Sequence, residues 1–167
     1  MKPEIILIAA MDNNRAIGKN NDIPWRGKLP ADMTHFINHT TGYTVVMGRK
    51  TWDSIPSKFR PLPARVNIVL TRDLSFTAEG ALITHTPEEA IALTKTAELW
   101  ICGGAEVYRQ FLPHASRIEL TVVDTETSGD TFFPELPSDE WSLTSGVRHE
   151  AEGRNLFPYR FDTCTRK

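Results

Sequence analysis

Leu99-Trp100-Ile101-Cys102-Gly103-Gly104-Ala105-Glu106-Val107-Tyr108 reads as a buried strand that passes through two glycines straight into an amphipathic helix. Near-continuous apolar runs of this kind suit strands covered on both faces, as in a parallel sheet. The same alternation extends outward. Strands are expected at Glu4–Met11, Tyr43–Met47, Val66–Leu70, Ala81–Thr84, Leu99–Cys102 and Ile118–Val123. Helices are expected at Pro30–His39, Thr51–Ile55, Pro87–Lys95 and Ala105–Leu112. Thr86-Pro87-Glu88-Glu89 gives the third helix an N-cap, a proline at its first position and acids in its first turn. Alternating strands and helices argue a right-handed α/β domain. Past residue 135 the helical patterns stop. Trp141–His149 and Leu156–Thr163 then read as a closing antiparallel pair joined by Glu150–Asn155.

Composition narrows the class. The 167 residues fit one domain, spanning 1–167. A net charge of −2, from 19 Lys+Arg against 21 Asp+Glu, leaves no basic footprint for nucleic acid or a membrane surface. The two cysteines, Cys102 and Cys164, make no disulfide framework, and the five histidines look scattered, so no metal site is expected. The apolar run from Ile5 to Met11 is too short for a signal peptide or a membrane span. A cytoplasmic protein acting on something small is the expectation.

Three corners favour anions. After the strand ending at Gly48, Arg49 and Lys50 precede Thr51 at a helix start, where positive residues are misplaced unless an anion joins them. At Gly103-Gly104 the backbone can approach a ligand, and first-turn amides can hold a pyrophosphate. At Leu70-Thr71-Arg72 a buried strand ends in a hydroxyl and a guanidinium. All three lie at C-terminal ends of expected parallel strands, the edge where open α/β sheets bind ligands. There is no G-x-G-x-x-G, and no acidic residue is placed for a ribose 2′-hydroxyl, so Arg49 and Arg72 favour NADP over NAD.

Leu29-Pro30-Ala31-Asp32 opens the first helix, with Asp32 and Phe36 four apart on one face and Met33 beside them. First-turn acids are common for dipole reasons alone. Here, however, a long irregular segment from Ile17-Gly18 through Asp22-Ile23-Pro24-Trp25 precedes the helix, and such loops in compact domains are usually functional. A lone carboxylate under an apolar lid suits binding an amidine-like nitrogen face and supporting protonation. It does not suit nucleophilic catalysis.

From residue 4 to 165 the chain resembles dihydrofolate reductases. The resemblance is carried, in order, by Ile8-Ala9-Ala10, Ile17-Gly18, Pro24-Trp25, Leu29-Pro30-Ala31-Asp32, Met47-Gly48-Arg49-Lys50-Thr51-Trp52, Arg60-Pro61-Leu62-Pro63-Ala64-Arg65, Ile101–Tyr108 and Gly129-Asp130-Thr131-Phe132-Phe133-Pro134. It implies a single domain with a mostly parallel eight-stranded sheet, an antiparallel C-terminal pair and about four flanking helices, residues 43–96 forming an adenosine-binding portion. It also implies a monomer that reduces 7,8-dihydrofolate with NADPH.

By that likeness Asp32 would hold the pterin 2-amino group and N3, Thr121 would hydrogen-bond its carboxylate, and Trp25 would position a water beneath a lid containing Ile23. Ile8, Met33, Phe36, Ile55, Leu62 and Cys102 would wall the substrate, Arg65 would pair with its glutamate carboxylate, and Tyr108 would lie near hydride transfer. Ala10, Ile17 and Gly18 would border the nicotinamide. Gly48, Arg49, Lys50, Thr51, Leu70, Thr71, Arg72, Gly103, Gly104, Ala105, Glu106, Val107 and Thr131 would serve the rest of the cofactor. Against the bacterial pattern, Arg26-Gly27-Lys28 is inserted before Leu29, Ile23 stands where many relatives carry Met, the Ser57–Arg60 stretch is longer, and Cys102 replaces an aliphatic. The two added cations and a glycine beside the lid would alter its closure or help attract an anionic substrate. A pyrimidine reductase of flavin synthesis would share the cofactor corners but lack Asp32 and Trp25. A non-enzymatic nucleotide-binding module would leave Asp32, Thr121 and Arg65 without a role.

Overall fold

A computed structural model describes all 167 residues. Its hub is β1 (Glu4–Met11), whose Ile5-Ile6-Leu7-Ile8-Ala9 run is buried throughout. The strand pairs in parallel with β6 (Glu98–Ile101) on one side and β7 (Arg117–Val123) on the other. Pairing on both edges and cover on both faces explain why its sequence is continuously apolar rather than alternating. β3 (Thr44–Gly48), β4 (Val66–Leu70) and β5 (Ala81–Thr84) extend the parallel sheet beyond β6. β10 (Tyr159–Arg166) runs antiparallel to β7, and β9 (Trp141–Thr144) lies outermost. The order is β5-β4-β3-β6-β1-β7-β10-β9, the eight-stranded sheet with its antiparallel C-terminal pair.

Four helices pack on it: α1 (Pro30–Thr40), α2 (Arg49–Ser54), α3 (Pro87–Leu93) and α4 (Ala105–Phe111). Two main apolar clusters result. One joins Leu7, Val46, Ile68, Ile101, Val107, Tyr108 and Phe111; the other joins Ile6, Ile8, Val45, Met47, Trp52, Val69 and Trp100. Successive β1 residues alternate between the clusters, as side chains on a strand must. No helix is long and apolar enough to cross a membrane.

Several boundaries differ from expectation. α2 begins at Arg49 rather than Thr51, so both cations lie inside its first turn. The closing pair is shorter and displaced: Trp141–Thr144 pairs with Thr163–Arg166, and most of 145–158 forms an open connection held by isolated bridges such as His149 to Tyr159. Loose alternation there marked partial exposure, not a ladder. A second, two-stranded sheet of β2 (Ala16–Gly18) and β8 (Thr131–Phe132) had no visible pattern, because strands of three and two residues carry no period.

Candidate functional site

The C-terminal ends of β1, β3, β4 and β6 lie along one sheet edge, and the chain features singled out above gather there. α1 starts beside that edge and places Asp32 in its first turn. Across from it, the Thr121 hydroxyl of β7 donates to Asp32 Oδ1 at 2.7 Å. Burial raises the Asp32 carboxyl above the ordinary carboxylate range, and the Thr121 hydrogen bond opposes that rise. No basic side chain is among the groups acting on it.

The apolar wall assembles from separate elements. Ile8 of β1, Phe36 of α1, Ile55, Leu62 and Cys102 all join the cluster built on Trp52 and Trp100. Met33 stands at the rim, 51% exposed. Burial pushes the Cys102 thiol up to about 12, so it stays protonated and behaves as a small apolar group, with Sγ 3.7 Å from the Trp100 carbonyl. Arg65 has no carboxylate partner. Its Nε donates to the Pro63 carbonyl at 2.9 Å and its Nη1 to Thr40 Oγ1 at 3.1 Å, with the guanidinium 5.7 Å from the Phe36 ring. Partial burial pulls its pKa below the usual arginine value, a strain that an anion would relieve. Tyr108 lies beneath this wall, buried, with its hydroxyl donating to the Ile8 carbonyl at 2.7 Å.

The three corners form one continuous surface. The Gly48 amide donates to the Gly103 carbonyl at 2.8 Å, joining the β3 and β6 ends. A Cβ on Gly48 would stand 3.0 Å from Val107 Cγ2, and Gly103 sits at φ +111 against the Tyr108 hydroxyl. The positive φ at Gly103 favours glycine, and a side chain at Gly48 would make Val107 give way. α2 and α4 start at Gly48 and Gly104 with no side-chain cap, whereas α3 is capped by Thr86, which accepts from the Glu89 amide at 3.2 Å. The corner helices thus keep open first-turn donors that α3 satisfies internally. That donor set, flanked by Lys50, Thr51, Thr71 and Arg72, fits a phosphorylated dinucleotide.

Arg49 departs from expectation. It bonds Asp73 Oδ2 at 2.9 Å through Nη1 and lies 3.5 Å from Asp53, with its guanidinium 4.6 Å from the Phe76 ring. The cation judged misplaced has carboxylates of its own, one just past the β4 end, where the sequence reading placed no acid. Lys50 and Arg72 are exposed; Arg72 acts on Glu106, which also pairs with Arg109 at 2.7 Å. Leu70 is buried and Ala105 half-buried beneath this surface.

The loop after β1 is anchored by a residue that sequence reasoning missed. Asp12 is buried and accepts from the Asn14 and Ala16 amides at 2.8 Å, the Thr127 amide at 2.9 Å and the Thr127 hydroxyl at 2.8 Å. Burial is the largest influence and acts upward, yet these hydrogen bonds together hold its pKa below the ordinary value. The one available signal was an Asp opening the Asp12-Asn13-Asn14 turn. Ala16 and Gly18 pair with Phe132 and Thr131 in the small sheet, with Ile17 at the irregularity between them, while Ala10 lies beside Thr121. Thr131 touches Gly18, its Cβ lying 3.3 Å from where a Gly18 Cβ would be. Asp130 accepts from the Asn20 amide at 2.9 Å, and Ile23 is 38% exposed at the tip. Trp25, only 2% exposed, has an indole N–H without a protein partner. A buried indole N–H calls for one.

The chain matches the dihydrofolate reductase family model over residues 4–166. It is 43% identical over 162 residues to a dihydrofolate reductase of Haemophilus influenzae, covering 96% of this chain and 98% of that one. It is 42% identical to the type 3 dihydrofolate reductase of Salmonella typhimurium over 164 residues, 98% of each chain. Among solved structures, it is similar to an Enterococcus faecalis dihydrofolate reductase complexed with NADP(H) and RAB-propyl, with a TM-score of 0.88, 32% identity, and coverage of 98% of this chain and 96% of that one. The chain belongs to the dihydrofolate reductase family.

Within that family frame, the inserted Arg26-Gly27-Lys28 is locally occupied. Arg26 pairs with Asp22, Gly27 takes a positive φ of 73, and the Lys28 carbonyl accepts from the Leu156 amide at 2.8 Å. The histidines are not all scattered either. His35 and His39, four apart on α1, meet Glu119 of β7, with ligand atoms of all three within 4.8 Å of one another. His35 and His39 are thus not scattered but share one face of α1 at i, i+4 spacing.

Proposed function

We infer that this chain catalyses the NADPH-dependent reduction of 7,8-dihydrofolate to 5,6,7,8-tetrahydrofolate. The observation that carries the reading is the lone, half-buried Asp32, hydrogen-bonded by Thr121 at 2.7 Å, in the floor of an apolar cleft beside the phosphate-friendly corners of a dihydrofolate reductase family member. Bound NADPH supplies the hydride that goes to pterin C6. The chain's own residues do the rest. Asp32 accepts hydrogen bonds from the pterin 2-amino group and N3, and its raised pKa matches a site that supports protonation at N5. Thr121 fixes the carboxylate's orientation, and the Trp25 indole, which needs a partner, positions a water under the lid.

Ile8, Met33, Phe36, Ile55, Leu62 and Cys102 exclude solvent from the ring, and Arg65 takes the substrate's glutamate carboxylate with its planar fork. Gly48, Lys50, Thr51, Thr71, Arg72 and the Gly103–Val107 turn hold the cofactor phosphates. Arg49 joins them by exchanging Asp73 for phosphate. Ala10, Ile17 and Gly18 border the nicotinamide, Tyr108 supports the hydride-transfer region from beneath, and Ile23 with the lid closes over it. Closeness of the two rings is itself a large part of the rate, worth roughly 7–11 kcal/mol in well-oriented systems. Residues 43–96 form the adenosine portion, and a cytoplasmic monomer is the proposed form, both on the family's pattern.

The test follows NADPH absorbance with and without dihydrofolate. Loss of NADPH only when dihydrofolate is present supports the enzyme. NADPH binding with no substrate-dependent loss would favour a nucleotide-binding module instead.

A further inference from the structure

One turn beyond Asp32, α1 faces β7 again. Asp32 meets Thr121, and His35 and His39 meet Glu119, two residues earlier on the same strand. A helical turn advances about 5.4 Å. Two strand residues advance about 6.6 Å, so the second pair of contacts falls naturally beneath the first. We propose that His35, His39 and Glu119 bind a divalent transition-metal cation of the zinc type, pinning α1 to β7.

The donor set is right for such an ion. Two imidazoles and a carboxylate suit borderline cations, with a fourth position left for water. Tetrahedral ligands on bonds of roughly 2.1 Å lie about 3.4 Å apart, so the observed grouping closes by small rotations of half-buried rings.

The surroundings hold the ligands in place. The His35 ring stacks on Phe161 at 3.9 Å, nearly parallel, and His39 packs edge-on to it at 4.3 Å and against Trp100 at 5.3 Å. Glu119, 6% exposed, is oriented by Thr163 Oγ1 at 2.8 Å and Arg117 Nη1 at 3.0 Å. A carboxylate has further lone pairs to offer. The buried Nε2 of His35 has no hydrogen-bond partner in the protein. Burial first, and His39 second, push the His35 imidazole down to about 4, so it is neutral, the form that ligates metal.

Arg117 is the nearest competing cation, and it is shared among Glu4 at 3.2 Å, Glu98 at 3.7 Å and Glu119. Three carboxylates around one guanidinium leave negative charge for a second cation. The pterin and dinucleotide reading assigns none of these three groups a task.

The experiment titrates ZnCl2 into the untagged full-length chain by calorimetry, with histidine ring resonances followed by NMR. One site per chain is expected, shifting the His35 and His39 resonances and raising the melting temperature. His39→Gln should weaken the site at least about tenfold, while a His85→Gln, His114→Gln, His149→Gln triple variant should keep it. Glu119→Gln should weaken it similarly; should that variant unfold, His39→Gln and the resonances of the unsubstituted chain decide. No zinc binding, shifts confined to the other three histidines, or undiminished binding by folded His39→Gln would overturn the proposal.

Discussion

The phosphate corners and the Asp32 floor share one sheet edge and handle charge in opposite ways. At the corners charge is exposed and shared: Arg49 sits between Asp53 and Asp73, and open amides at two helix starts add donors that no single side chain controls. At the floor one half-buried carboxylate stands with one hydroxyl for company, and loss of solvent around it raises its pKa. Exposed pairs contribute about 0–1 kcal/mol each. A buried polar group left unsatisfied costs roughly 1–3 kcal/mol. Ligand binding and turnover should therefore tolerate single losses at the corners but not at the floor.

The largest effect is expected at Asp32. Asp32→Asn should lower turnover near neutral pH by about 10²–10⁴-fold, the usual worth of a positioned proton-transfer group. Its stability should move the other way. Because the folded pKa is raised, the native state binds more protons than the unfolded one between the ordinary carboxylate value and the raised one, so Asp32 costs stability once pH climbs through that window. The variant should melt at an equal or higher temperature than the parent at neutral pH, measured calorimetrically. Lower stability together with unchanged turnover would break the contrast between floor and corners.

Thr121→Val comes next. Removing the one hydrogen bond that opposes burial should lift the Asp32 carboxyl further, move the pH profile upward and slow turnover about tenfold. Thr121→Ser should restore the profile, which a purely packing role for Thr121 would not predict. Arg65→Lys should raise KM for dihydrofolate about tenfold while leaving kcat largely unchanged, because the bidentate fork is lost but the charge remains.

The corners should show the smallest effects. Arg72→Ala should weaken NADPH several-fold, in a salt-sensitive way and more than it weakens NADH. Arg49→Ala should do less, since Asp73 already neutralises that guanidinium. Equal and large losses at both positions would show that the corners do not share their load.

Much of this was legible in the chain. The buried strands have near-continuous apolar sequences because the sheet covers them on both sides, and β1, β4 and β5 ended where the pattern ended. Asp32 stood out because a polar residue opened an apolar helix face after a long loop. What stayed hidden depends on distance rather than pattern. The salt bridge of Arg49 to Asp73 spans 24 positions, and the Asp12 contacts to Thr127 span 115. His35 and His39 were adjacent on a helix face all along, but only the fold brings in Glu119.

The near-balanced net charge concealed a cleft with cations at its rim and one carboxylate inside. Whether that carboxylate governs the chemistry is decided by the pH dependence of NADPH oxidation with dihydrofolate, measured for the parent and Asp32→Asn from about pH 5 to about pH 8. The parent's rate should fall as pH rises through the raised Asp32 pKa, and the variant should be slow at neutral pH with that inflection gone. The same inflection and the same neutral rate in the variant would contradict the assignment.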